Sequence, residues 1–258
     1  MIRQALSSAG RVLLGATYPR RCAACGIGIG TAGCPFCPGC DETLRREGAQ
    51  PACPTCGHRL GIYGLDEQYR CIACRDRELR CDGVARFAPY EGMVRELLLG
   101  FKFRGRDGLD AVIGGLVAEA VQAAGWFKHV DALVVVPTHW RHDWGRPIYA
   151  AGVIGAILRK RTGLRAVRVM RRVAAGPHQY ELPREQRAEN IRGKFAMIPG
   201  GRVRGARLCL VDDVSTTGAT LNECAGVLKR AGARRVFAAV FAKVDTMAHL
   251  VGEGIEWV

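Results

Sequence analysis

The stretch from Arg207 to Leu221, RLCLVDDVSTTGATL, narrows the possible folds more than any other part of the chain. Leu208, Cys209, Leu210 and Val211 form a short apolar run, the pattern of a strand buried on both faces. Two carboxylates, Asp212 and Asp213, stand at its end. Small residues follow from Ser215 to Ala219, and Thr220 opens a predicted helix. Strand, small-residue turn and helix N-terminus together make an anion pocket, because first-turn N–H groups lack intrahelical partners and the helix dipole is positive there. Ser215, Thr216, Thr217 and Thr220 add hydroxyl donors, and Gly218 lets the backbone close around a phosphate.

Carboxylates repel phosphate oxygens but accept hydrogen bonds from a neighbouring diol. Phosphate at the loop and hydroxyls at the strand end describe a ribose 5-phosphate. A capping box of Thr220 and Glu223 explains part of the pattern, but not two carboxylates together with four hydroxyls. The arrangement resembles the phosphoribosyl-diphosphate (PRPP) motif of type I phosphoribosyltransferases. That resemblance implies that Asp212 and Asp213 hold the ribose hydroxyls, and that Ser215, Thr216, Thr217, Gly218, Ala219 and Thr220 surround the 5-phosphate.

Of twelve cysteines, ten precede residue 82. Cys22-x2-Cys25 is followed eleven residues later by Cys37-x2-Cys40, and Cys53-x2-Cys56 is followed fourteen residues later by Cys71-x2-Cys74. Each is a pair of knuckles at zinc-ribbon spacing, able to place four thiolates around one ion. Gly26 and Gly57 follow their knuckles, where a tight turn favours positive φ. Two structural zinc ions are expected, with no open position for chemistry. A disulfide framework is the competing reading, and the chain lacks the convincing secretion signal that would accompany one. Cys34 also forms a CxxC with Cys37, which leaves the second knuckle of the first group ambiguous; Cys37 and Cys40 are preferred because Cys40 needs Cys37 as its partner. On that preference Cys34 and Cys81 are left over, while Cys209 and Cys224 read as inert core residues.

The chain of 258 residues suits one large or two modest domains, and no apolar run is long enough to span a membrane. The opening segment MIRQALSSAGRVLLGA carries Arg3 and Arg11, with an apolar face broken by Ser7, Ser8 and Gly10. It reads as a docking helix rather than a signal peptide, and a cytoplasmic protein is expected. Net charge is +14, of which residues 159–207 contribute +11 from 14 Lys and Arg against 3 Glu. Such a block favours a polyanion, a diphosphate or nucleic acid; a merely solvated basic face is the plainer alternative.

Past Cys81, strand and helix alternate. Strands are predicted at Val84–Tyr90, Asp131–Val136, Arg165–Met170, Leu208–Val211 and Arg235–Ala242, and helices at Met93–Leu99, Leu109–Ala124 and Ile148–Arg161. This alternation argues for a mostly parallel α/β sheet, whose ligands bind beyond the carboxyl ends of the strands. The loop after Val136 offers Arg141, Arg146, His139 and His142, with Trp140 and Trp144 as stacking or packing surfaces. A long loop from Arg171 to Phe195 carries Gln179, Gly176, Pro177 and Pro183; a structureless stretch of that length reads as a lid or binding loop.

Taken whole, the chain resembles the ComF family of competence and GntX-like proteins. The paired CxxC knuckles are similar to that family's double zinc ribbon, and Phe101-Lys102-Phe103-Arg104-Gly105 to its Lys-aromatic segment. Val136-Pro137 with His139, Arg141 and Arg146 is similar to its Arg-rich loop. Gln179, Leu182, Arg187, Asn190, Gly193 and Phe195 stand at the spacing of its lid, and Asp212-Asp213 with Thr216–Thr220 matches its PRPP loop. The resemblance implies residues 1–81 as an N-terminal helix and double zinc ribbon, and residues 82–258 as a type I phosphoribosyltransferase-like parallel sheet with helices on both faces. It adds Lys102, Arg146 and Gln179 to the PRPP-binding set, makes Asp212, Asp213 and Arg187 the catalytic candidates, and implies Mg²⁺ accompanying PRPP. Pro147 departs from the family's Arg-Gly-aromatic pattern and removes an N–H that contacts diphosphate in related enzymes. The implied role is PRPP binding in DNA uptake during natural transformation, with phosphoribosyl transfer to an unidentified acceptor. A non-catalytic factor holding single-stranded DNA alongside DNA-uptake proteins, and a PRPP-sensing regulator, are the alternatives.

Overall fold

The computed structural model describes residues 21–30, 33–61, 64–103, 108–138, 149–173 and 191–245. Helix α1 (Pro38–Gly48) starts at the second cysteine knuckle, with Cys37 at its N-cap and Pro38 in its first turn. Strand β1 (Gly83–Pro89), helices α2 (Gly92–Phe103) and α3 (Leu109–Ala123), strand β2 (Ala132–Val135), helix α4 (Ala150–Thr162) and the short β3 (Arg165–Ala166) follow. Strands β4 (Met170–Arg172), β5 (Phe195–Met197) and β6 (Arg207–Ser215), helix α5 (Ala219–Arg230) and strand β7 (Arg235–Lys243) complete the described order.

β1, β7, β6, β2 and β3 lie side by side in that order, and every pairing is parallel. Side chains of successive strand residues point to opposite faces, and here both faces are covered. Cys209, Val211, Phe237, Ala239 and Phe241 face a core containing Leu97 and Phe101 of α2, Ile113 and Val117 of α3, and Ile154 and Leu158 of α4. Leu208, Leu210, Val236, Ala238 and Val240 face Leu221, Cys224 and Leu228 of α5. The expectation of a parallel sheet with helices on both faces holds. Among the described residues, no helix is long and apolar enough to cross a membrane.

Several boundaries differ from the sequence reading. The strand predicted to stop at Val211 continues through both aspartates to Ser215, because β7 offers it a partner that far: Asp212 aligns with Val240 and Ser215 with Lys243. The single strand predicted over Arg165–Met170 is split. Its first residues pair with β2, while Met170–Arg172 turns away into an antiparallel ribbon with Phe195–Met197. The long loop predicted as structureless therefore has paired ends, and residues 174–190 lie outside the described set.

Candidate functional site

The site gathers at the carboxyl ends of β6 and β7. The Asp213 side chain, 16% exposed, meets the Lys102 ammonium at 2.6 Å, and Lys102 is 14% exposed. Lys102 is carried by the last turn of α2, so the segment singled out by its Lys-aromatic pattern is the one that reaches the acidic strand. The Asp213 and Val214 N–H groups donate to the Asp212 and Asp213 carboxylates at 2.9 and 2.6 Å. Burial, together with the adjacent Asp213 charge, pushes the Asp212 carboxyl up to about 8, against the pull of Lys102. At neutral pH Asp212 is therefore held mainly in its protonated form.

Beyond Ser215 the chain makes a three-residue turn into α5. Gly218 is the N-cap at φ 82°, a left-handed conformation suited to glycine, and itself offers no side-chain cap. The capping box of Thr220 and Glu223 does not form. Helix α5 starts one residue earlier, at Ala219, and Glu223 instead accepts from the Gly193 N–H at 3.0 Å. The Ala219 N–H donates to Thr217 Oγ1 at 3.3 Å. Lys243, 1% exposed at the end of β7, donates to Ser215 Oγ at 3.3 Å and to the Thr216 carbonyl. Arg77 donates to the Thr217 carbonyl at 2.9 Å.

Of the candidates named from sequence, Asp212, Asp213, Ser215, Thr216, Thr217, Gly218, Ala219 and Thr220 form one contiguous unit, and Lys102 joins it across the sheet end. Arg146, Gln179 and Arg187 lie outside the described residues, as do His139, Arg141 and the tryptophans of the Arg-rich loop. Lys243 and Arg77 were missed. Lys243 had a signal: a charge closing the otherwise apolar run Val236–Ala242 is either an edge or a buried functional group. Arg77 had none, since its partner is distant in sequence.

The cysteines form two groups, Cys22, Cys25, Cys37 and Cys40 in one and Cys53, Cys56, Cys71 and Cys74 in the other, with all sulfurs of a group within 4.8 Å of one another. The closest pairs lie 3.5–3.9 Å apart. Zn–S bonds of about 2.3 Å put tetrahedral sulfurs about 3.8 Å apart, whereas a disulfide needs about 2.05 Å, so both sets fit structural zinc. Gly26 and Gly57 sit at φ 77° and 76°, and each donates back to the first cysteine of its knuckle at 2.9 and 2.8 Å. His58 Nδ1 lies 3.3 Å from Cys56 Sγ, an outer-shell contact that orients a ligand. Cys34 stands apart, its sulfur 3.9 Å from Asp41 Oδ1.

The second group is joined to the sheet. The Val84 N–H donates to the Pro54 carbonyl at 2.9 Å, and Arg59 meets Asp245 at 3.3 Å and Glu91 at 2.5 Å.

No family model matches the chain. Competence protein F of Haemophilus influenzae is 26% identical over 221 residues, covering 84% of this chain and 93% of that protein. DNA utilization protein YhgH of Escherichia coli K12 is 25% identical over 229 residues, covering 85% and 95%. Among solved structures, the glutamine PRPP amidotransferase of B. subtilis aligns with 52% of this chain at 20% identity and a TM-score of 0.36, the alignment spanning 27% of the enzyme's own length. A purine phosphoribosyltransferase from Pyrococcus horikoshii aligns with 51% at 18% identity and a TM-score of 0.32, covering 70% of that chain. The resemblance to the ComF family, carried first by the cysteine knuckles and the acidic strand, is thus matched by named relatives over most of the chain.

Proposed function

We propose that the protein binds PRPP or ribose 5-phosphate at the end of β6, and that this binding serves DNA uptake. One observation carries the reading. Two adjacent carboxylates and a left-handed turn at a helix N-terminus lie within one strand–loop–helix unit, and a lysine from α2 pairs with one of the carboxylates. Asp212 and Asp213 accept from the ribose hydroxyls, and Ser215–Thr220 receive the 5-phosphate. Lys102 exchanges Asp213 for ligand, joined by Arg146 and Gln179. The cysteine groups hold two structural zinc ions in an N-terminal module of residues 1–81, ahead of a phosphoribosyl-binding module of residues 82–258. The names of the relatives, a competence protein and DNA utilization proteins, support the link to DNA.

If transfer follows binding, the bond from the anomeric carbon to diphosphate breaks through an oxocarbenium-like state, with Arg187 neutralising the departing charge. Mg²⁺, held near Asp212 and Asp213, would supply neutralisation of the diphosphate charge. No general base for an acceptor stands out in the sequence. The test of binding is calorimetric titration with PRPP and ribose 5-phosphate, and the test of transfer is diphosphate release with and without single-stranded DNA.

The basic block favours a second activity, binding of single-stranded DNA. Arg159, Lys160, Arg161, Arg165, Arg168 and Arg171 are all exposed. Single-stranded DNA is expected to bind weakly and with little sequence preference, and to compete with PRPP if the two sites overlap. With about four phosphates neutralised, affinity falls about 50-fold between about 50 and 200 mM salt. Exchanging Arg184, Arg187 and Arg192 for Glu lowers it further without releasing zinc. Fluorescence anisotropy over a salt series reads this; a salt-independent signal leaves the block a solvated face.

A further inference from the structure

Two cations that the sequence places far from the phosphate loop hold its backbone. Lys243 Nζ donates to the Thr216 carbonyl, and Arg77 Nη2 donates to the Thr217 carbonyl at 2.9 Å. A trans peptide is planar, so a carbonyl and the N–H of the next residue point in opposite directions. Anchoring the oxygens of Thr216 and Thr217 therefore sets the directions of the Thr217 and Gly218 N–H groups. Neither N–H has a partner among the described residues. Gly218 stands at φ 82°, and successive N–H groups around such a turn form a concavity for an anion. With its carbonyl unheld, the Thr217–Gly218 peptide is free to rotate and turn an oxygen, rather than an N–H, toward a phosphate.

Arg77 is delivered by the second cysteine group. Its N–H donates to the Cys74 carbonyl at 3.2 Å, three residues from a metal-ligand position. The segment beyond it is stitched to α5. The Arg80 N–H donates to Asn222 Oδ1 at 2.6 Å, Asn222 Nδ2 donates to the Glu78 carbonyl at 3.3 Å, and the Cys81 thiol lies 3.7 Å from the Leu221 carbonyl. Cys74, Arg77 and the loop thus form one connected path. The Arg77 side chain is exposed, and its other N–H groups have no partner among the described residues, so its charge also lies beside the loop.

We propose that Arg77 is a positioning residue of the phosphate loop, and that through it the metal loading of the second cysteine group is coupled to binding of a phosphorylated sugar. The proposal rests on the reading of this loop as a ribose 5-phosphate site. A coupling of this kind is reciprocal: if loading tightens sugar-phosphate binding, the bound sugar phosphate must retain the metal by the same factor.

The test uses the full chain loaded with zinc and titrated calorimetrically with ribose 5-phosphate, with zinc release to a chromogenic chelator followed in parallel. Arg77→Ala is expected to weaken ribose 5-phosphate about tenfold, the loss of one charge-assisted bond and its ordering effect. It should keep both zinc ions and the wild-type unfolding temperature. Arg77→Lys, which restores a single donor without the planar fork, should recover part of the loss. Saturating ribose 5-phosphate should slow zinc release from the wild type and not from Arg77→Ala. If the wild type binds ribose 5-phosphate and Arg77→Ala binds it equally well, the positioning role is overturned while the site stands. Weakened binding that comes with zinc loss makes Arg77 a scaffold residue and also overturns the proposal. If the wild type itself does not bind, the reading of the site falls, and the proposal with it.

Discussion

Cys74→Ser is expected to lower the zinc content of the purified protein from two ions per chain to one and to give the largest stability loss of any single substitution considered. Cys74 is wholly buried and its sulfur lies 3.9 Å from both Cys53 and Cys71. Around it the hydrophobic contacts are few: the four cysteines themselves form the small core, flanked by Leu60, Leu65, Ala73 and Leu79. A cluster that small cannot offset the entropy of ordering its loops, so metal binding supplies its folding free energy, on the order of 10 kcal/mol of apparent binding for such modules. The damage should spread to the sheet. The Pro54 carbonyl receives the Val84 N–H of β1, and Arg59 reaches Asp245 just past β7. Cys34→Ser is the control: its sulfur is outside the group, and it should leave both metals in place. Metal analysis with thermal denaturation reads both variants, and two zinc ions retained in Cys74→Ser contradict the assignment.

The second large effect is a pH dependence centred on Asp212. Its carboxyl is raised to about 8, by burial first and by Asp213 second. Between about pH 4 and 8 the folded protein therefore keeps a proton that the unfolded chain has lost. With fewer protons on the unfolded state, stability falls as pH rises through that window and levels off above it, a loss of up to a few kcal/mol. Asp212→Asn removes the titrating group and should flatten the profile, gaining on the wild type at the alkaline end. Asp213→Asn acts differently: it deletes the charge that helps to raise Asp212 and leaves Lys102 to pair with Asp212 instead. Its profile should shift toward the ordinary carboxylate range. Denaturant titrations between about pH 5 and 8.5 separate the three proteins. Parallel profiles for wild type and Asp212→Asn exclude the buried proton.

What could be read from the sequence divides along physical lines. The cysteine groups were legible because a CxxC turn is local: Gly26 and Gly57 take the positive φ that the knuckle demands. Strands β6 and β7 and helix α3 were legible because each carries a long apolar pattern in one period. The end of β6 was not, because pairing with β7 rather than hydrophobicity carries the strand past its own carboxylates. The break after Ala166 was hidden for the same reason: Met170–Arg172 is claimed by Phe195–Met197, a partner no local window contains. In the site, acidic pair, hydroxyls and glycine announced themselves by type and order. The two cations that hold the loop backbone, Lys243 and Arg77, come from a β-strand end and from the segment after Cys74, and only the folded chain brings them together.

The end of β6 is expected to bind a phosphorylated ribose through Asp212 and Asp213. Calorimetric titration of PRPP with Mg²⁺ into the wild type and into the double variant Asp212→Asn/Asp213→Asn tests it most directly. Neutral amides are poorer acceptors for a diol and poorer partners for a nearby cation than carboxylates. The wild type is predicted to bind one PRPP per chain, and the double variant to bind at least about tenfold more weakly while keeping both zinc ions. Equal affinities in the two proteins, or no binding by the wild type, contradict the account.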